Sequence, residues 1–305
     1  MTFERGLLDI LMFDSILVPT DGSDHALEAA EHGAALARVF KADLHVVSAV
    51  DIQTAVGPFN AGGLDPEIRA RLQADAEEKI TGITEAIALP GSVQTDILTG
   101  NAVTEILAYC EDNGIDLIVM GTHGRTGVKR YVAGSVTEAV VRKAEVPVLT
   151  VRATDQNHVD TYSDILVPTD GSEFAAAAVE PALEIAATFD ARVHALHVVD
   201  LGDVAFSADY TLPTELINHL QEEGEAATEE LAARARDAGV DAVTEVLTGY
   251  PAREILDYAE ENDIDMIAMG TAGRTGLSRF VLGSTTERVI RHAEMPVLAV
   301  NAREK

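Results

Sequence analysis

The octapeptide ILVPTDGS occupies residues 16–23 and returns at 165–172, an offset of 149. The stretch GTHGRTGVKRYVAGSVTEAVVRKAEVPVLTV at 121–151 comes back at 270–300 as GTAGRTGLSRFVLGSTTERVIRHAEMPVLAV, identical at 20 of 31 positions. LTGNAVTEIL at 98–107 and LTGYPAREIL at 247–256 keep the same offset. Two copies in register from end to end indicate a tandem duplication of whole domains, not a solenoid of short repeats. In a chain of 305 residues each copy is long enough to bury its own core. The expected domains are 13–152 and 162–302, with a linker at 153–161 inside the polar stretch Ala153–Tyr162. Residues 1–12 are an N-terminal extension, and 1–11 have no counterpart in the second copy. Met12 is an alternative start, since MFDSILVPTDGS matches TYSDILVPTDGS.

Within each copy two periods alternate. Ile16–Pro19 is a short apolar run of the kind a buried parallel strand needs, and a helical pattern follows from Ala26 to Phe40. Leu44–Val50, Val93–Leu98, Leu117–Met120 and Val146–Val151 read as further strands. Asp65–Leu89, Ala102–Glu111 and Ser135–Ala144 read as helices. The alternation predicts an α/β fold: two tandem doubly wound domains, each with a five-stranded parallel sheet and right-handed crossovers. Met295–Val300 is the last strand of the second copy. Pro147 falls within the last strand of the first copy as read here, which suits an edge position.

Charge narrows the partners. The chain carries 51 acidic against 22 basic residues, a net charge of −29, and only five of the bases are lysines. A field of that sign repels phosphate backbones, so nucleic acid is excluded as a nonspecific partner. Like charges also repel within the fold, and molar salt shortens the screening length to about 3 Å. The acidic, lysine-poor composition therefore points to a halophilic, salt-rich cytoplasm. One cysteine, Cys110, excludes a disulfide framework and a cysteine zinc cluster, and a buried reduced thiol is expected. No apolar run approaches a membrane span, and the start MTFERGLLDILMF is too short and acidic for a secretory signal. The expectation is a soluble cytoplasmic protein.

In an open parallel sheet, ligands sit beyond the carboxyl ends of the strands. Three segments of the first copy arrive there: Pro19-Thr20-Asp21-Gly22-Ser23, Val50-Asp51, and Met120-Gly121-Thr122-His123-Gly124, the last continuing to Gly134-Ser135. Gly121, Gly124 and Gly134 follow G-x2-G-x9-G with a serine next. Glycines let backbone N–H groups approach an anion, and a helix start at Gly134-Ser135 adds amides and a dipole that favour phosphate. The same residues also suit a plain strand–helix turn with Ser135 as its N-cap. Asp21 is placed to accept hydrogen bonds from a ribose, and equally to form an ordinary Asp-Gly turn before a Ser23 cap. The pattern is neither a Walker A loop nor the dinucleotide G-x-G-x-x-G. His194 and His197 lie three apart on a strand, face opposite sides and cannot share a metal; His45, matched by His194, reads as structural. No protein metal site is expected.

Together, ILVPTDGS, VMGTHGRTG, VAGS and VPVLTV resemble the universal stress protein family, and the resemblance covers both copies. Members that bind ATP carry G-x2-G-x9-G followed by Ser or Thr, matched here by Gly121, Gly124, Gly134, Ser135 and by Gly270, Gly273, Gly283, Ser284. The resemblance implies a Rossmann-like fold of the adenine nucleotide alpha hydrolase kind, with ATP, ADP or AMP in each domain. Phosphates would lie on those glycines and serines, with Asp21 and Asp170 at the ribose or adenine end. Pro19, Thr20, Val50, Met120 and Val136 would line one pocket, and Pro168, Thr169, Val199, Met269 and Thr285 the other. Magnesium enters only as a companion of the phosphates. The copies differ at His123/Ala272, Lys129/Ser278 and Val136/Thr285. The family also implies that last-strand edges pair, here between the two halves of one chain, with a homodimer of tandem chains as a further option.

Other readings remain open. A slow ATPase or nucleotidyl-transfer enzyme would need a catalytic motif, and neither His-x-Gly-His nor Ser-Gly-Gly-x-Asp-Ser is present. A nucleotide-free scaffold or chaperone-like dimerisation module is the third class.

Overall fold

The structure is a computed structural model, and it describes residues 13–51, 66–87, 93–122, 134–153, 161–200, 214–273 and 282–302. The extension 1–12, Gly124, His123, Lys129 and Ser278 lie outside them, as does most of the expected linker. The first half runs β1 (Ser15–Pro19), α1 (Asp24–Phe40), β2 (Asp43–Val50), α2 (Pro66–Ile87), β3 (Gln94–Thr99), α3 (Ala102–Asn113), β4 (Leu117–Gly121), α4 (Ser135–Lys143) and β5 (Val148–Val151). The second runs β6 (Asp164–Pro168), α5 (Glu173–Ala176), α6 (Val179–Phe189), β7 (Arg192–Asp200), α7 (Thr214–Asp237), β8 (Ala242–Gly249), α8 (Pro251–Glu261), β9 (Met266–Gly270), α9 (Ser284–His292) and β10 (Val297–Val300).

The central strands are buried on both faces, which is why they read as unbroken apolar runs. Ile16, Leu17 and Val18 are all fully buried. Their side chains alternate: Ile16 and Val18 pack with α1 and α2 residues such as Leu36 and Ile80. Leu17 packs on the other face with Ile106 of α3 and Val140 of α4. The second half repeats the arrangement, with Ile165 and Val167 facing one layer and Leu166 the other. The result is a three-layer α/β fold with helices on both faces of the sheet.

The two sheets are one. Strand order is β3, β2, β1, β4, β5, β10, β9, β6, β7, β8. Each half is parallel in the order 3-2-1-4-5, and the halves join through an antiparallel β5–β10 pair. Leu149 pairs with Leu298, and these are the same position of the repeat. Val148 pairs with Ala299 and Thr150 with Val297, so the junction is isologous, as in a two-fold dimer. The expected pairing of last-strand edges within one chain is therefore present.

The expected starts of the last strands are corrected here. Pro147 is not inside its strand: β5 starts at Val148, and the Pro147 carbonyl accepts from the Ile118 N–H at 3.0 Å. A proline has no N–H for a ladder, yet it serves as an acceptor at a strand entrance. Pro296 accepts from Ile267 in the same way before β10, which starts at Val297 and not at Met295. Tyr162 is the last residue of the polar stretch and the first of the second domain as read from the sequence. It is 2% exposed, bonds His32 Nδ1 of α1 through its hydroxyl at 3.0 Å, and packs edge-on against Phe189. It belongs to the core at the junction of the two halves.

The copies also differ in their first helix. α1 is continuous, whereas its counterpart breaks into α5 and α6 at 177–178. Pro181 stands where the first copy has His32. A proline removes its own N–H and clashes with the carbonyl four residues earlier, that of Ala177. The chain responds with bonds that span three residues, from Ala177 N–H to Phe174 O at 3.4 Å and from Ala178 N–H to Ala175 O at 3.3 Å.

Candidate functional site

At the carboxyl end of β1 the chain leaves the sheet through Thr20, whose N–H donates to Val47 O of β2 at 2.8 Å. Its hydroxyl accepts from Gly22 N–H at 3.0 Å, and Asp21 Oδ1 accepts from Ser23 N–H at 3.0 Å. Gly22 sits at φ +74°, in the left-handed region where glycine is favoured. Ser23 then caps α1 by accepting from Ala26 N–H. The second copy is the same within 0.2 Å at Thr169, Asp170, Gly171 and Ser172. Both readings of Ser23 as a cap and of Asp21 as a turn residue thus describe real bonds, and they aim the turn over the strand ends.

The loop after β4 is closed at its base. Thr122 N–H donates to Val151 O at 2.8 Å and Thr122 O accepts from Gly134 N–H at 2.6 Å. Thr137 Oγ1 donates to Gly121 O at 2.7 Å, fixing the start of α4 against the end of β4. The second copy does this with Thr271, Gly283, Thr286 and Gly270. Gly134 and Gly283, not Ser135 and Ser284, are the N-caps, and neither cap makes a side-chain hydrogen bond. The structure therefore replaces the Ser135 cap expectation: among the described residues no side chain caps the first-turn amides of α4 and α9. Such amides, with the helix dipole behind them, favour an anion. Ser135 and Ser284 are exposed beside them.

The glycines do different jobs. A Cβ on Gly121 would meet the backbone of His25 at 2.7 Å, and one on Gly270 would strike the Phe174 carbonyl. These two let the strand end pass beneath the first helical turn, so packing alone requires them. A Cβ on Gly273 would instead lie 2.8 Å from Asp170 Oδ2, with no other atom of the described residues within 3.5 Å. That approach brings the glycine loop and the Asp turn together over the sheet. Met120, Met269, Val50, Val199, Pro19, Pro168 and Thr20 are buried, while Thr169, Val136 and Thr285 are half-buried.

Sequence reasoning missed several neighbours. Burial first, and the charge of Arg152 second, hold the His25 pKa below its usual value, while Asp24 and Asp21 pull the other way. His197 bonds the Thr169 carbonyl at 2.8 Å through Nδ1. The matched threonines Thr137 and Thr286 were visible in the repeat but carried no local signal. His45 and His194 are structural as expected: each bonds a tyrosine hydroxyl, Tyr109 at 3.0 Å and Tyr258 at 2.9 Å. Among the described residues no group of three or more His, Cys, Asp or Glu is arranged to hold a metal. Cys110 is buried, and burial pushes its thiol up to about 12.

A cleft of about 360 Å³ lies at the other end of the strands, lined by His32, Asp265, His292 and Pro296 among others. It shares no residue with the carboxyl-end segments and offers no helix N-terminus. We place the candidate site at the carboxyl ends, where amides, a carboxylate and small residues converge.

A sequence model of the universal stress protein family matches this chain twice, over residues 12–152 and 161–301. A universal stress protein of Methanocaldococcus jannaschii is 43% identical over 152 residues, covering 49% of this chain and 88% of its own length. One of Mycolicibacterium smegmatis is 27% identical over 295 residues, spanning 94% of this chain and 97% of that one. The crystal structure of a universal stress protein from Archaeoglobus fulgidus shares the fold, with a TM-score of 0.67 at 22% identity over 95% of this chain and 97% of that chain. Among the described residues no helix is long and apolar enough to cross a membrane. With two family matches, over residues 12–152 and 161–301, laid end to end on two copies of one α/β unit, the chain belongs to the universal stress protein family as a tandem member.

Proposed function

We propose that each half binds an adenine nucleotide, ATP or a close relative, and that the protein works by occupancy in a cytoplasmic stress response. One observation carries the reading: the first turns of α4 and α9 present amides at the carboxyl ends of the sheet that no side chain among the described residues caps. In the second half these amides stand near Gly273, which passes so close to Asp170 that a Cβ on it would lie 2.8 Å from Oδ2. That donor set fits a phosphate chain with a ribose hydroxyl partner. The amides of Ser135 and Ser284 and their hydroxyls would take phosphate oxygens, with Gly124 and Gly273 allowing the approach. Asp21 and Asp170 would accept from the sugar, and the apolar Val50, Met120, Val199 and Met269 would seat the base. Magnesium, when bound with the phosphates, would supply charge neutralisation. No side chain is assigned as a general base, so the reading is binding and not turnover.

Calorimetric titration with ATP, ADP and AMP, in molar KCl with magnesium, tests this on wild type and on Gly124→Val/Gly273→Val. The expected result is two sites per chain in wild type and none in the double variant, with the melting transition retained. Absence of binding by any nucleotide to folded wild type would instead support the nucleotide-free scaffold.

A further inference from the structure

The last helix of each half begins at its own candidate site and ends on a residue of the other half. Asn301, just past β10, donates through Nδ2 to Val141 O and Ala144 O, both at 2.8 Å, at the carboxyl end of α4. Its Oδ1 accepts from the Thr271 hydroxyl. Thr271 is the residue whose carbonyl holds Gly283 N–H at 2.7 Å, the N-cap of α9. A continuous path of hydrogen bonds thus runs from the second site loop, through Asn301, to the far end of the helix that opens the first site.

The reciprocal path uses Arg152, the same repeat position as Asn301. It donates to Arg291 O, at the carboxyl end of α9. It follows Val151, whose carbonyl holds Thr122 N–H, and Thr122 O in turn holds Gly134 N–H, the N-cap of α4. Its charge also reaches His25 in the first turn of α1. Each strand end is tied to its own site loop and caps the other half's site helix.

Resting on the nucleotide reading above, we propose that these crossed caps couple the two sites, so that filling one pre-organises the other. A helix of nine residues is about 13 Å long and axially stiff, because its amides are bonded turn to turn. A ligand gripping the first turn of α4 fixes the axial position of Val141 and Ala144. That holds Asn301, and Asn301 holds Thr271 and the Gly283 cap. Hydrogen bonds weaken steeply with distance and angle, so a small axial slip separates a clamped from a released state. Ligand favours the clamped state at either end, and the coupling is reciprocal by linkage.

The test has two arms. In titrations with ATP, wild type should bind its second nucleotide at least about fivefold tighter than the Gly124→Val or Gly273→Val single-site variants bind their one. In Arg152→Ala/Asn301→Ala that ratio should fall to near one. Equal affinities throughout, or cooperativity unchanged in the cap variant, would overturn the proposal. The second arm needs no ligand: amide hydrogen exchange of Asn301→Ala against wild type. Exchange should rise at both remote ends of the path, Glu138 N–H in the first turn of α4 and Gly283 N–H at the cap of α9. A rise confined to the last turn of α4 would show a merely structural cap and overturn the coupling. Should wild type bind no nucleotide, the functional reading fails, while the exchange arm still decides the mechanical link.

Discussion

The two halves share the backbone of the site and differ around it. Thr20-Asp21-Gly22-Ser23 and Thr169-Asp170-Gly171-Ser172 make the same bonds. Their neighbours have diverged: His25 is matched by Phe174, Ser48 by His197, Arg152 by Asn301 and His32 by Pro181. The invariant part is what main-chain geometry demands, and the variable part is what side chains add at the entrance and the junction. A duplicated domain released from identity by its partner can specialise there without losing the fold.

The sharpest way to break the comparison is to treat its glycines alike. Gly270→Val would drive a side chain into the Phe174 backbone, where neither partner can move, and should cost at least about 3 kcal/mol. Among the described residues Gly273→Val meets only the end of the Asp170 side chain, and it should leave the melt within about 1 kcal/mol of wild type. Equal melting losses in a thermal scan would show that packing governs both positions.

A smaller effect separates the two sides of the junction. Burial holds His32 down to about 4 in the folded chain, against 6.5 unfolded. Between those values the unfolded state takes up a proton that the fold refuses, so stability falls as pH drops through the window, by on the order of 2–3 kcal/mol. Glu184 of α6 runs the other way. Burial first, then Asp116 and Asp14 of the other half, push it up to about 7 from 4.5. Its stabilising proton is present below pH 4.5 and lost as pH rises through 7. It is partly exposed, which reduces its worth to about 1 kcal/mol. Glu184→Gln should therefore be more stable than wild type at pH 8, with the gap closing by pH 4.5 in urea melts. A constant gap across that range would place the carboxyl's effect elsewhere.

The smallest expected effect concerns what the halves have in common, their acidic surface. With a net charge of −29, raising KCl from 0.1 to 2 M should move a single melting transition upward by several degrees. A salt-independent melt would remove the halophilic reading. Two transitions moving apart would show that the halves respond separately despite their shared sheet.

Much of this was legible in residues close together in the chain. The apolar run Ile16–Val18 announced a strand buried on both faces, and Ser23 announced a helix start, because both rest on local period and turn chemistry. Gly134 was legible as a loop residue. Its role as the cap itself was not, since Ser135 is the better capping type by propensity. The burial of Tyr162 was not legible, because its neighbours are polar and its partner, His32, lies 130 positions away.

By itself, the sequence determined the duplication, the α/β alternation, the order of strands and loops, and which segments arrive at the carboxyl ends of the sheet. These follow from periodicities and turn residues that act over a few positions. Only the tertiary structure decided the register in which the two sheets join, that Gly121 and Gly270 are required by helix packing, and that Arg152 and Asn301 cross to the other half. Asn301 meets Val141 across 160 residues, and such a contact is set by how whole layers stack and by the orphan carbonyls a helix end must satisfy. No local pattern encodes it.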